Sequence, residues 1–163
     1  MRIENRGEIL FADKHYWRHF RVDEAMSKNL KVLKSQLDAV KPVLEHLQVS
    51  ISPEYLGLIS SAGQPITVIS STKRIDPDAM AVLVSSSFGA ARQLGSILEN
   101  SGFTVMLHEG SELNIQVSQV TDDILLVICF RGFGELGRVR LITKRAARAL
   151  STVLNGGTTR GTD

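Results

Sequence analysis

The chain has 163 residues, 43% apolar and 22% charged, with a formal net charge of +2. That length suits one domain able to bury a core without disulfides or metals. No run approaches the roughly eighteen uncharged apolar residues of a membrane span, and the N-terminal segment lacks an apolar stretch followed by a small-residue cleavage site, so neither membrane insertion nor secretion is expected. The single cysteine, Cys129, lies inside the apolar run ILLVICF, as in a reducing compartment, and the expected location is cytoplasmic.

Residues 1–22 form an aromatic N-terminal extension in which Phe11, Tyr16, Trp17 and Phe20 are interleaved with Lys14, Arg18 and Arg21. So aromatic a segment is expected to dock. One candidate surface is its own body, with Ile9–Phe11 adding to a sheet edge. The other is a partner, with Trp17 and Arg18 as anchors. A domain is expected over 23–156, followed by a polar tail at 157–163.

From Asp23 to Leu47 the apolar residues Met26, Leu30, Leu33, Leu37, Val40, Leu44 and Leu47 alternate spacings of four and three, which predicts an amphipathic helix. Pro42 should kink or interrupt it near Ala39–Lys41. Tyr55–Ser60 and Gln64–Ser71 read as a β-hairpin around Ser61-Ala62-Gly63, with Pro65 at a strand start or sheet edge. Asp76 is an N-cap and Pro77 the first position of a second helix that stops at Ser101-Gly102. Strands follow at Phe103–His108, Leu113–Val120 and Ile124–Phe130, joined by loops short enough to demand antiparallel neighbours. A last helix runs from Leu136 to Leu154.

On the second helix the 100° rotation per residue groups Met80, Leu83, Val84, Ala91, Leu94 and Leu98 as the core face. The opposite face carries Val82, Ser85, Ser86, Gly89, Arg92, Gln93 and Ser96. So small and uncharged a strip suits close helix–helix contact, most simply across a homodimer twofold. The last helix divides into a core stripe of Leu136, Val139, Ile142, Ala146, Ala149, Leu150 and Val153 and a basic side of Arg138, Arg140, Lys144, Arg145 and Arg148. Residues 131–163 hold seven Lys/Arg against two Asp/Glu. The basic side would take acidic protein, phosphate or a membrane surface, or simply be solvated. Nucleic acid is not expected, because no aromatic platform accompanies it.

Catalytic and cofactor motifs are weak. Gly132-Phe-Gly134-Glu-Leu-Gly137 spells G-x-G-x-x-G between a strand and a helix. No second strand of a βαβ unit follows, no acidic residue stands where ribose binding needs one, and Glu135 occupies the pyrophosphate's place. His15 and His19 lack a third zinc ligand. Ser85-Ser86-Ser87 lies mid-helix rather than in a nucleophile elbow. No catalytic residue, cofactor or metal is expected.

The element order, with LGLISSAGQPI at 56–66, IDPDAMAVL at 75–83, HEGSELNIQVSQVTDDILLVICF at 108–130 and ELGRVRLITKRAARAL at 135–150, resembles the Roadblock/dynein light-chain family. The His-Glu-Gly turn at 108–110 looks most like the bacterial branch that partners Mgl-type polarity GTPases. The resemblance implies an α/β (α+β) fold, αββαβββα. Its five-stranded antiparallel sheet would carry a long helix on one face and flanking helices on the other, and would dimerise into a continuous sheet. It implies an interface of Ser85, Ser86, Gly89, Arg92, Gln93, Ser96, Phe103, Val105 and Leu107. It also implies a non-enzymatic homodimer that binds and regulates a small Ras-like GTPase, reshaping the GTPase's own site without an arginine finger. Trp17, Arg18, Arg92, Arg138, Arg145 and Arg148 are the candidate partner contacts. The alternatives are a structural adaptor with no effect on GTP turnover and a ligand sensor using the groove near Gly132–Gly137.

Overall fold

The computed structural model describes residues 9–12, 15–19, 28–98, 102–132 and 134–156, with side chains from Gln36 onward. In chain order these form β1 (Ile9–Ala12), β2 (His15–His19), α1 (Lys28–Ile51), β3 (Tyr55–Ser60), β4 (Pro65–Ser70), α2 (Pro77–Ile97), β5 (Val105–His108), β6 (Leu113–Thr121), β7 (Ile124–Arg131) and α3 (Leu136–Gly156). The sequence-derived Lys14, Phe20, Arg21, Met26, Ser101, Phe133 and 157–163 lie outside the described residues, as do the side chains of Trp17, Arg18, Leu30 and Leu33.

All strands pair antiparallel in a seven-stranded sheet of order β1-β2-β4-β3-β7-β6-β5. The five expected strands are β3 to β7. The N-terminal extension supplies the other two as a hairpin, with Trp17 opposite Ile69 and Arg18 opposite Val68. Its backbone thus takes the self-docked course, although β2 rather than Ile9–Phe11 meets the body's edge strand.

Both faces of the sheet are covered, which explains why β7 is a continuous apolar run instead of an alternating one. Ile124, Leu126, Ile128 and Phe130 join Leu56 and Leu58 in a core roofed by α1 and α3. Leu125, Val127 and Cys129 point the other way, joining Tyr55, Ile59 and Val117 beneath α2. On α1 the stripe holds from Leu37 onward: Val40, Leu44 and Leu47 are fully buried and Leu37 packs against them. The helix continues through Pro42 without interruption and reaches Ile51. Tertiary packing of this apolar face outweighs the one lost backbone hydrogen bond.

Local chemistry fixes the turns. The Asp76 side chain accepts from the Asp78 amide at 3.0 Å, capping α2, and Pro77 occupies its first turn. In the β3–β4 turn, Gly63 has φ +87° and donates its amide to the Ser60 carbonyl at 3.0 Å. A Cβ there would also stand 3.0 Å from Ser85 Oγ. Gly63→Ala is therefore expected to cost about 1–3 kcal/mol. Urea unfolding should show a lower midpoint at unchanged slope; an unmoved midpoint would mean that the turn relaxes freely.

Candidate functional site

The expected interaction helix, α2, is turned differently from its sequence reading. Its buried side is Pro77, Ala81, Val84, Phe88 and Gly95, spaced by fours and threes apart from the unburied 91–92 turn. Leu83, Leu94 and Leu98, expected in the core, are 67%, 52% and 63% exposed, and Ile97 is 77% exposed. The helix is apolar over more than half its circumference, so a periodicity weighted by side-chain size picks out the wrong arc. Small Ala81 lets it lie close to the sheet, Phe88 packs in the same layer, and Gly95 faces the connection at Gly102 and Phe103. A Cβ on Gly95 would sit 3.4 Å from the Phe103 ring.

The exposed arc adjoins an open edge. Met80 and Leu83 of α2, with Met106 and Ile115 of β5 and β6, line an apolar groove of about 450 Å³. Among the described residues β5 is the last strand of the sheet and pairs with β6 only. Of the residues expected at an interface along it, Val105 is exposed while Phe103 and Leu107 are half-buried. A contiguous apolar surface next to unpaired backbone groups is an arrangement that another chain completes.

The small-residue strip lies on the other flank of α2. Ser85 and Gly89 are half-buried; Ser86, Arg92, Gln93 and Ser96 are exposed. Ser85 Oγ and Ser86 Oγ both donate to the Val82 carbonyl, and Ser96 Oγ donates to that of Gln93. These hydroxyls are satisfied within their own helix. The strip begins beside the β3–β4 turn, where Ser85 meets Gly63. Ser85 thus lies on the β3–β4 side of α2, whereas Met80 and Leu83 lie on the side of Met106 in β5.

On α3, Val139, Thr143, Ala146, Leu150 and Leu154 are buried. Ala149, expected in the core, is exposed, because the buried stripe follows Thr143 and Leu154 one position along. Arg140, Lys144, Arg145 and Arg148 are exposed as expected. Arg138 is engaged internally: it pairs with Glu135 and donates from Nη1 to the Ser50 carbonyl at 2.9 Å. It ties the start of α3 to the end of α1 rather than standing free for a partner. Glu135 is likewise spent on this tie, and Gly132 with φ +92° serves the strand-to-helix turn. Asn114, only 2% exposed, braces the same end of the sheet: its Oδ1 accepts from the Gly110 amide at 3.3 Å and its Nδ2 donates to the Gly132 carbonyl at 3.5 Å.

Reactive groups do not converge. Burial, helped by the Glu54 carboxylate, pushes the Cys129 thiol up to about 12, so it stays protonated at neutral pH. Glu54 also pairs with Arg131, which meets Glu112 as well. His108 is exposed at the strand end, and His46 Nε2 lies 3.4 Å from Ser50 Oγ. Among the described residues no three His, Cys, Asp or Glu side chains are grouped to hold a metal ion, and no helix is long and apolar enough to cross a membrane.

Three helices on an antiparallel sheet, with an open edge beside an apolar helix flank, make a fold of the Roadblock type. The Roadblock/LC7 domain model matches residues 41–130, and the chain belongs to that family. Comparison with curated proteins gives no match. Among solved structures it is similar to an MglB with a tetrameric arrangement, at 27% identity over 76% of this chain and 93% of that one, with a TM-score of 0.69. Myxococcus xanthus MglB has 24% identity over 72% of this chain and 96% of that one, TM-score 0.68. The gliding protein MglB of Thermus thermophilus has 23% over 83% and 99%, also TM-score 0.68. The last two show the shared fold.

Proposed function

We propose that the chain is a cytoplasmic, non-catalytic homodimer that regulates a small Ras-like GTPase. The observation that carries the dimer is the apolar flank of α2, with Leu83, Leu94, Ile97 and Leu98 exposed beside the β5 edge. A second copy related by a twofold pairs its own β5 there, continues the sheet and covers both apolar flanks. Val105 and Leu107 enter this contact through their edge backbone, their side chains lying on the α3 face of the sheet, while Met106 is the β5 side chain beside α2. Ser85, Ser86, Gly89, Arg92, Gln93 and Ser96 then remain on the opposite flank of α2, available to a different molecule.

Support for the GTPase comes from the likeness to MglB, which spans nearly that whole chain, and from the resemblance of the 108–110 turn to the branch that partners Mgl-type GTPases. Regulation in this reading is thermodynamic: the dimer binds one GTPase conformation better than others and shifts its population. Of the basic candidates, Arg92, Arg145 and Arg148 are exposed and fit partner contact, and Trp17 and Arg18 sit on the strand added at the far edge. Single-turnover GTP hydrolysis by a small GTPase from the same cell, with and without the dimer, tests this. Faster or slower turnover is the expected result. Binding with unchanged turnover identifies a structural adaptor, and absence of binding ends the GTPase reading.

A further inference from the structure

A second groove, of about 810 Å³, lies on the opposite face of the sheet, between α3 and the β5–β6 margin. Arg140, Lys144 and Arg148 form its wall, and no Asp or Glu lines it. Among the described residues none of the three cations belongs to an ion pair. Its floor is polar where the neighbouring strand is not. Gln116 and Ser118 of β6, each 1% exposed, stand in register with Ile128 and Leu126 of β7. Gln116 Nε2 reaches Ser118 Oγ only at 3.5 Å, and its Oε1 has no partner among the described residues. Two apolar side chains would close this layer at lower desolvation cost, so the polar floor is a sacrifice of stability at this margin.

The cations recur every four residues, which on an α-helix is about 6 Å, so the three span about 12 Å. One phosphate is too small to engage all three. An extended chain, by contrast, presents every second side chain to the same side at about 6.7 Å. We infer that this groove binds an extended acidic segment of a partner protein, with Asp or Glu at alternate positions facing Arg140, Lys144 and Arg148. Its backbone lies over the Gln116–Ser118 floor, whose amide and hydroxyl supply hydrogen-bonding groups. Because the groove is on the sheet face away from α2, it operates whether or not the partner is a GTPase.

Fluorescence anisotropy with the full chain tests the assignment. The probes are a fluorescein-labelled peptide of alternating Glu and Thr, and an isomer of equal composition with its glutamates in one block. The alternating peptide should bind several-fold tighter and weaken as salt shortens the Debye length. The pair Lys144→Glu and Arg148→Glu should weaken it about tenfold or more, since each reversal turns a modest attraction into repulsion. The pair Lys73→Glu and Arg74→Glu, the same charge change in the β4–α2 connection, should leave it unaltered. If the first pair lowers the melting temperature, Lys144→Gln with Arg148→Gln takes its place. Equal affinity for the two peptides, no binding, or equal loss in both charge-reversal pairs overturns the inference. Displacement of the peptide by inorganic tripolyphosphate at matched charge assigns the groove to a small anion and overturns it too.

Discussion

Phe88→Ala should lower the unfolding free energy by about 3–5 kcal/mol, among the largest single-site losses available in this domain. Phe88 is 2% exposed and sits in the layer formed with Tyr55, Ile59, Val84 and Val127. Its removal leaves a void that the sheet, held by paired strands on both sides, cannot collapse to fill. Leu83→Ala is the matched comparison. In the isolated chain Leu83 is 67% exposed, so its truncation should cost little in the monomer. Chemical denaturation of both variants at low protein concentration checks the contrast. A loss at Leu83 equal to that at Phe88 would return the helix to the orientation that its periodicity favours.

Leu83→Glu combined with Leu94→Glu should convert the proposed dimer to monomer. Each places a charge in an apolar contact without a partner, where burial costs several kcal/mol. Light scattering reads the mass directly. The wild type should show a melting temperature that rises with concentration, and the double variant one that does not. Gly89→Arg and Ser85→Glu, on the other flank of α2, separate the two candidate interfaces. They should leave the dimer intact if the apolar flank forms it. Monomer from the strip variants, with the leucine variant still dimeric, would place the twofold on the strip.

Much of the fold is legible because its punctuation is local. Asp76-Pro77 starts a helix through groups that meet within one turn, and Gly63 marks a hairpin through its own dihedral angle. The loops at 109–112 and 122–123 are too short for anything but antiparallel pairing. The α1 stripe is legible for another reason: one face is apolar and the rest is not. α2 defeats the same method because Leu83, Leu94 and Leu98 look alike whether they are to be buried in their own chain or against another. Only the position of the sheet tells which arc faces inward, and that position depends on strands from both ends of the sequence. The basic groove is half legible. The cations of α3 stand out, but Gln116 and Ser118 gain meaning only from Ile128 and Leu126 beside them, a juxtaposition made by register. The N-terminal hairpin is hardest to read, since HYWRH carries no clean alternation and its pairing is set by β4.

That hairpin has a consequence for assembly. A sheet with two open edges can join copies in two ways: edge to like edge, which closes after two, or edge to unlike edge, which forms a ring only if the rotation closes and otherwise grows into a fibre. With β2 seated on β4, a neighbour's β5 cannot reach the six-residue β4. It finds instead the four residues of β1, a short template for indefinite polymerisation. The β1–β2 hairpin would thereby act as a terminator at that edge, consistent with the proposed closed pairing through β5.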